Sequence, residues 1–160
     1  KYKNLILLII PRHINRTEEI IQNLSKYKLN IHKHSDKKIL NRRTEVYIVD
    51  TFGDTKKFLK KCSTVFLGGS LIPHGGQNPI EAARYGLKII HGPNIENFTE
   101  VYNLLKNIGL SYQIKSQKDA FNVMNKVLKH KLKKNLNVNR LNLMGNKILI
   151  KNYNYISKYF

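Results

Sequence analysis

Short apolar runs alternate with amphipathic stretches along most of the chain. Six runs are rich in β-branched and aromatic residues and predict strands, and the stretches between them repeat apolar residues at helical spacing. The predicted strands are Leu5–Ile10, Leu29–His34, Glu45–Thr51, Ser63–Leu67, Lys88–His91 and Leu110–Ile114. The predicted helices are Thr17–Tyr27, Asp54–Cys62, Asn78–Tyr85, Asn97 to Gly109, and Gln117–His130.

The order of these elements predicts an α/β fold. Strands that alternate with helices at short spacing form a parallel sheet with helices on both faces, and right-handed crossovers make it doubly wound. We therefore expect a six-stranded Rossmann-like sheet in residues 1–132, with Leu5–Ile10 as a buried strand. The Asn- and Lys-rich tail, residues 133–160, predicts one or two helices packed outside the sheet on the same domain.

Composition narrows the class of protein. The chain has 160 residues, of which 41% are hydrophobic, so it can form a buried core and disorder is not expected. A single cysteine, Cys62, excludes an internal disulfide framework and a cysteine-rich zinc site. The longest apolar run, Leu5–Pro11, is far shorter than the roughly 20 residues that span a bilayer. We expect a chain that does not cross a membrane.

The formal net charge is +19, from 29 Lys and Arg against 10 Asp and Glu. Such a charge favours nucleic acid, an anionic membrane surface or a phosphorylated substrate as a partner. Compositional drift is the alternative, because Lys, Asn and Ile are frequent throughout the chain. No basic stripe with interleaved stacking aromatics is apparent, so we expect no nucleic-acid partner.

Unusual residues cluster where predicted strands end. Ligands bind at the carboxyl ends of the strands of an open parallel sheet, and these positions hold Pro11-Arg12-His13, Thr51–Asp54 and Gly68–Glu81. If the doubly wound order holds, the first and fourth strands are neighbours. Arg12 would then face the glycine-rich loop.

The segment Gly68–Glu81 predicts an anion site. Its paired glycines permit positive φ and a close approach of the backbone to a ligand. Asn78 suits a helix cap and Pro79 a first helical position, which leaves backbone amides free for a phosphate. Arg12 can add a bidentate contact to the same phosphate.

Other side chains have two interpretations each. Glu81 fits a capping box that reaches back to the amide of Asn78, or a carboxylate that accepts hydrogen bonds from a ribose diol. His74 is a ligand candidate or a turn residue. His32 and His34 lie two apart without a third ligand, and no two aspartates are so spaced, so we expect no metal.

The fourteen residues from Gly68 to Glu81, GGSLIPHGGQNPIE, resemble the signature of the 3-deoxy-D-manno-octulosonic acid (Kdo) transferases. The likeness extends to Pro11-Arg12-His13, to Thr51–Asp54, and to His91-Gly92-Pro93 followed by Asn97-Phe98. It covers about residues 5–105. Gln77, where many relatives have His, and the run Ala82-Ala83-Arg84 depart from the pattern and leave fine substrate preference open.

The resemblance implies one half of a GT-B glycosyltransferase, namely the C-terminal domain, which holds the donor. Such enzymes transfer Kdo from CMP-Kdo to the lipid A precursor (lipid IVA) in lipopolysaccharide biosynthesis, at the cytoplasmic face of the bacterial inner membrane. The N-terminal half carries the acceptor site and a catalytic carboxylate. We therefore expect no catalytic residue in this chain, no metal cofactor, and no transfer by this domain alone. The implied partners are CMP-Kdo or CMP, the N-terminal half, the lipid A precursor through that half, and an anionic membrane surface.

The resemblance also assigns donor-binding positions. It implies that Arg12 contacts the nucleotide phosphate, that Glu81 binds the ribose, and that Phe52 and Gly53 lie near the cytosine. The full set of expected donor-binding residues is Pro11, Arg12, His13, Phe52, Gly53, Gly68, Gly69, Ser70, His74, Gly75, Gly76, Asn78 and Glu81.

Three alternative functions remain open at this point. One is a stand-alone domain that binds a sugar nucleotide without catalysis, and another is the donor domain of a GT-B enzyme that uses a UDP-sugar. The third, favoured by charge alone, is a basic nucleic-acid binder, which would leave the glycine-rich loop unexplained. For the tail segment Lys147–Phe160, the mixture of Tyr and Lys suits a membrane interface, or a helix that packs on the N-terminal half.

Overall fold

The computed structural model describes residues 5–37, 42–129 and 134–159. The chain divides into two compact units, Lys1–Phe58 and Leu59–Phe160, and each contains a three-stranded parallel sheet. His130, which ends a predicted helix, and Lys133 and Phe160, which bound the predicted tail, lie outside the described residues.

The sheet of the first unit has the order β1-β3-β2. The central strand β3 is buried because it pairs on both sides, with Leu8 and His32 opposite Tyr47. The elements of this unit are β1 (Leu7–Ile9), a 3-10 turn (Ile14–Arg16), α1 (Thr17–Ser25), β2 (Ile31–Lys33), β3 (Val46–Ile48) and α2 (Thr55–Leu59), whose last residue begins the second unit.

The prediction of a buried first strand is wrong. Leu5, Ile6 and Leu7 are exposed. The physical reason is position, because among the described strands β1 lies at the edge of its sheet and has a hydrogen-bonded neighbour on one side only.

The sheet of the second unit has the order β4-β5-β6, and helices α3 and α4 pack on it. Its elements are β4 (Thr64–Phe66), α3 (Ile80–Arg84), β5 (Lys88–His91), a 3-10 turn (Glu96–Phe98), α4 (Thr99–Asn107), β6 (Ser111–Gln113), α5 (Gln117–Lys129) and α6 (Lys134–Ile156). The core consists of Leu59, Ala82, Ala83, Leu87, Ile89, Tyr102, Leu105 and Leu110.

The α/β class and the six parallel strands are confirmed in the described part of the chain. The description as a six-stranded sheet needs correction, because the hydrogen-bonded ladders group the strands as two sheets of three. The predicted neighbourhood of β1 and β4 stays a prediction. So does the domain boundary between residues 132 and 133, which falls outside the described residues.

The described part of the tail contains one long helix, α6. Its first part packs on the remainder of the second unit, to which it belongs. The Asn137 amide donates to the Gly86 carbonyl oxygen at 3.1 Å, and the Arg140 guanidinium donates to the Ile108 carbonyl oxygen at 3.4 Å. Leu141 packs against the core. Among the described helices, none combines the length and the apolar content that crossing a bilayer requires.

Candidate functional site

Two loops leave the carboxyl edge of the second sheet side by side. The loop of residues 68–78 follows β4, and the loop of residues 92–95 follows β5. Since β4 and β5 are hydrogen-bonded neighbours that run in the same direction, both loops start at the same edge. This is the edge at which ligands bind in open parallel sheets.

Ser70 joins these two loops. Its side chain is fully buried, and its hydroxyl donates to the Leu67 carbonyl oxygen at 2.7 Å and accepts the Gly92 N–H at 2.9 Å. The Ser70 carbonyl oxygen accepts both the backbone N–H and the side-chain amide of Asn94, at 3.0 and 3.3 Å. A Cβ at Gly92 would overlap this carbonyl. The Ser70 hydroxyl therefore fixes the turn, and its predicted place beside the donor stays a prediction.

Three of the four paired glycines adopt the positive φ that their pattern predicts, and Gly68 does not. Gly69, Gly75 and Gly76 have φ of +70°, +79° and +74°, and the Gly76 N–H closes the loop on the Gly69 carbonyl oxygen at 3.2 Å. Gly75 faces the side chain of Asn97, so closely that a Cβ there would overlap it. The exposed ring of His74 lies beside Gly69.

Helix α3 begins one residue later than predicted. Its cap position is Pro79, and the Asn78 side-chain oxygen accepts the Ile80 N–H at 3.0 Å. In the described part of the chain, the exposed Glu81 carboxylate has no hydrogen bond or ion pair, so the capping box, one of the two interpretations of Glu81, is absent. Binding of a ribose by Glu81 stays a prediction, and its carboxylate is free for that role.

Tyr102 of α4 holds the loop of residues 68–78 through its hydroxyl. Its hydroxyl donates to the Gln77 carbonyl oxygen at 2.9 Å, and burial raises the pKa of Tyr102 to about 12. The phenol therefore remains a donor at every physiological pH. Helical spacing could not reveal this role, because Tyr102 occupies an ordinary core position of an amphipathic helix.

His91 is buried beneath the same loops, with its ring 4.3 Å from that of Tyr102. A carbonyl can only accept, so Nδ1–H donates to the Gly92 carbonyl oxygen at 2.7 Å, and Nε2 accepts the Ser111 hydroxyl at 2.9 Å. Burial lowers the pKa of His91, against a smaller raising effect of the Gly92 carbonyl. The histidine is neutral near pH 7.

The first unit presents its own loops at the carboxyl edge of its sheet. Because β1 and β3 are paired in parallel, residues 11–13 and 51–54 start from the same edge. Arg12 and His13 are exposed, and in the described residues Arg12 has no hydrogen bond or ion pair. The ring of Phe52 is 78% exposed, next to Gly53 with φ of +83°.

Asp54 holds the second of these loops. Its carboxylate accepts the Thr51 hydroxyl and the Lys57 ammonium, both at 2.7 Å, and lies 3.6 Å from His34 Nε2. The hydrogen bond from Lys57, followed by that from Thr51, lowers the pKa of Asp54. His34 in turn contacts the Tyr47 hydroxyl at 2.7 Å.

No metal-binding group is apparent in the described ranges, where no three His, Cys, Asp or Glu side chains come together suitably. His32 Nδ1 instead contacts the Thr44 hydroxyl at 3.1 Å. The expectation that Arg12 faces the glycine-rich loop, which belongs to the other unit, stays a prediction.

Comparison with known proteins points to one family. A 3-deoxy-D-manno-octulosonic acid transferase of Haemophilus influenzae is 32% identical over 120 residues, which are 75% of this chain and 28% of that protein. A protein of the same name from Rickettsia prowazekii is 32% identical over 122 residues, or 76% of this chain and 26% of that protein. By sequence, the chain is a relative of the Kdo transferases. The resemblance inferred from the glycine-rich motif is thus confirmed.

The chain spans about a quarter of the length of these Kdo transferases. No family model matches it. Among solved structures, it is similar to the crystal structure of the C-terminal CMP-Kdo binding domain of WaaA from Acinetobacter baumannii, with a TM-score of 0.77 and 22% identity. The match covers 86% of this chain and 72% of that one. It confirms the expected fold class, that of a GT-B C-terminal domain.

The contact between Gly75 and Asn97 can be measured by a double-mutant cycle. Gly75→Ala should destabilise the chain by about 1–2 kcal/mol through positive φ alone, and further through overlap with Asn97. In an Asn97→Ala background the overlap is gone, so the penalty should fall by about 0.5–1 kcal/mol. Urea denaturation measures both values, and an equal penalty in the two backgrounds would contradict the packing described.

The buried histidine predicts acid sensitivity. Because the folded state lowers the pKa of His91 below its ordinary value of 6.5, the unfolded chain binds the proton first as the pH falls. The contribution of neutral His91 to the free energy of unfolding should be present above pH 6.5 and should be lost as the pH falls below it. Urea midpoints between pH 7.5 and 5.5 should fall less steeply for His91→Gln than for the wild type. The exposed His74→Gln is the control and should keep the wild-type slope, so equal slopes for both variants would disprove this assignment.

Proposed function

We propose that this chain is the donor-binding domain of a Kdo transferase and that it binds CMP-Kdo through the CMP group. The observation that carries the proposal is the loop of residues 68–81, held rigidly at the carboxyl edge of its sheet while the Glu81 carboxylate is left free. The kinship with Kdo transferases supports the choice of nucleotide.

Each group has a role that its chemistry suits. The free Glu81 carboxylate accepts hydrogen bonds from the ribose hydroxyls. The Arg12 guanidinium, exposed and without a protein partner in the described residues, binds the single phosphate of CMP. The Glu81 and Ala82 amides, which have no hydrogen-bond partner in the described part of the chain, are donors of the kind that suits a phosphate. The exposed Phe52 ring packs on the cytosine.

The proposed reaction moves charge onto the phosphate. The acceptor hydroxyl oxygen bonds to the anomeric carbon of Kdo while the bond from that carbon to the phosphate oxygen breaks, and CMP leaves with the electron pair. Arg12 stabilises the negative charge that grows on the phosphate. Electrostatic stabilisation of this kind is the largest single contribution to catalysis in many enzymes. This role replaces a metal ion.

The proton of the acceptor hydroxyl requires a base, which we place outside this chain. At the carboxyl edge of the first sheet, Asp50 binds Ser35, and Asp54 binds Thr51 and Lys57. Glu81 is assigned to the ribose. As the resemblance to the Kdo transferases implies, we assign the base and the acceptor site, for the lipid A precursor at the cytoplasmic face of the inner membrane, to an N-terminal half.

Calorimetric titration with CMP tests the donor site. Arg12→Ala and Glu81→Ala should each weaken CMP binding about 10- to 100-fold, because each removes a hydrogen bond to or from a charged group. Arg84→Ala and Glu100→Ala remove the same charges from exposed positions and should bind as the wild type. If the control variants lose as much affinity, the site is misplaced. If UDP binds more tightly than CMP, the chain is the donor domain of a different glycosyltransferase.

Because the proposal assigns the base to an N-terminal half, we expect this domain alone to be inactive. With CMP-Kdo and the lipid A precursor, the purified 160-residue chain should form no product, since it lacks the base.

The affinity for CMP should be unchanged by EDTA, because Arg12 takes the place of a metal ion. Turnover by the isolated chain, followed by mass spectrometry of the lipid, would place the base within it, and loss of CMP binding in EDTA would show a metal site.

A further inference from the structure

Asn97 holds its side chain against the glycine-rich loop, and the polar atoms of that side chain are not used within the described part of the protein. Asn97 lies in the 3-10 turn of residues 96–98, and its carboxamide occupies the space that a Cβ of Gly75 would need. The side chain is exposed, and in the described residues it makes no hydrogen bond. The Gly75 N–H has no partner there either. We call these two groups the Gly75–Asn97 pair.

The two groups of the pair are neighbours in a fixed arrangement. The contact at Gly75 places the Asn97 amide nitrogen within about 5 Å of the Gly75 nitrogen. The turn that carries the carboxamide is held in place, because the Ile95 carbonyl oxygen accepts the Phe98 N–H at 2.8 Å and the Thr99 hydroxyl at 3.2 Å. The side chains of Ile95 and Phe98 pack against the core. A ligand that binds the pair therefore needs little ordering of the protein.

The chemistry of the pair suits a group that only accepts hydrogen bonds. A backbone N–H can only donate, and the –NH₂ of a carboxamide supplies two more donors. An ionised carboxylate has acceptors alone, whereas a sugar hydroxyl also carries a proton that the Gly75 N–H cannot accept. The pair therefore favours a carboxylate over a hydroxyl.

The proposed donor contains such a carboxylate. Kdo is a sugar acid, whose carboxylate carbon is bonded to the anomeric carbon, and in CMP-Kdo the anomeric carbon also carries the phosphate. The carboxylate must therefore bind close to the phosphate. The pair meets this requirement, because Gly75 belongs to the loop of residues 68–78, which leads to the Glu81 and Ala82 amides.

We propose that Asn97 and Gly75 bind the carboxylate of the Kdo group and thereby select an acidic sugar over a neutral one. Hydrogen bonds from the Asn97 carboxamide and the Gly75 N–H to an ionised acceptor are stronger than those to a neutral one. The net charge of +19 also favours a donor that carries a carboxylate in addition to its phosphate. This inference rests on the proposed function, because it concerns a second group of the same donor.

Calorimetric titration of the 160-residue chain with CMP-Kdo and with CMP tests the assignment. The wild type should bind CMP-Kdo more tightly than CMP. Asn97→Ala should weaken the binding of CMP-Kdo about tenfold, because it removes a hydrogen bond to a charged group, and should change the affinity for CMP by less than about twofold. Asn97→Asp keeps the shape of the side chain and should weaken CMP-Kdo binding by at least about 100-fold, because two carboxylates repel each other.

Asn103 provides the matched control, because it is exposed on α4 and makes no hydrogen bond in the described residues. Asn103→Ala and Asn103→Asp should bind both ligands as the wild type does, and urea denaturation checks that every variant is folded. Equal losses of CMP and CMP-Kdo in the Asn97 variants, or no loss of either, would overturn the inference while the nucleotide site stands. Wild-type binding of CMP-Kdo by Asn97→Asp would also overturn it, since a sugar hydroxyl would then occupy this position. If the wild type binds neither ligand, the proposed function fails and this inference fails with it.

Discussion

The Ser70 hydroxyl is buried between two loops, where it both donates and accepts a hydrogen bond, and the geometry of the second unit's edge depends on it. Its partners are the Leu67 carbonyl and the Gly92 N–H, and its own backbone carbonyl binds Asn94 twice. Removing the hydroxyl would leave the buried Gly92 amide unsatisfied, at a cost of about 1–3 kcal/mol. Because the loop ends are tied in this way, the segment between them keeps one conformation. A ligand that binds there therefore needs little ordering of the protein.

The order and class of the elements follow from local patterns, which is why they could be predicted. Lys88–His91 has the same bounds in prediction and structure, because Gly86 and Gly92 flank a short apolar run. Position within a sheet is not a local property. Leu7 looks the same in the sequence whether β1 lies at the centre or at the edge, so its exposure could not be predicted.

The same distinction between local patterns and contacts made on folding applies to the candidate site. The residues of its motif could be predicted because they are contiguous, from Gly68 to Glu81. The residues that hold the motif could not, since Tyr102 reaches Gln77 from 25 positions away and Asn97 meets Gly75 only after folding. Helical spacing describes Tyr102 as a core residue, which it is, and says nothing of the hydrogen bond made by its hydroxyl.

The basic excess does not stabilise the fold. The ion pairs Arg16–Glu19, Lys33–Glu18 and Lys57–Asp54 are at least partly exposed, and such pairs contribute about 0–1 kcal/mol each. With 29 basic and 10 acidic residues, at least 19 basic side chains have no carboxylate of their own. The mutual repulsion of these side chains opposes compaction, so we expect the positive charge to favour the binding of anionic partners instead. The proposed nucleotide uses few of these charges, because its single phosphate engages Arg12 at close range. Salt screens such a contact less than it screens charges that act over distances comparable to the Debye length of about 8 Å.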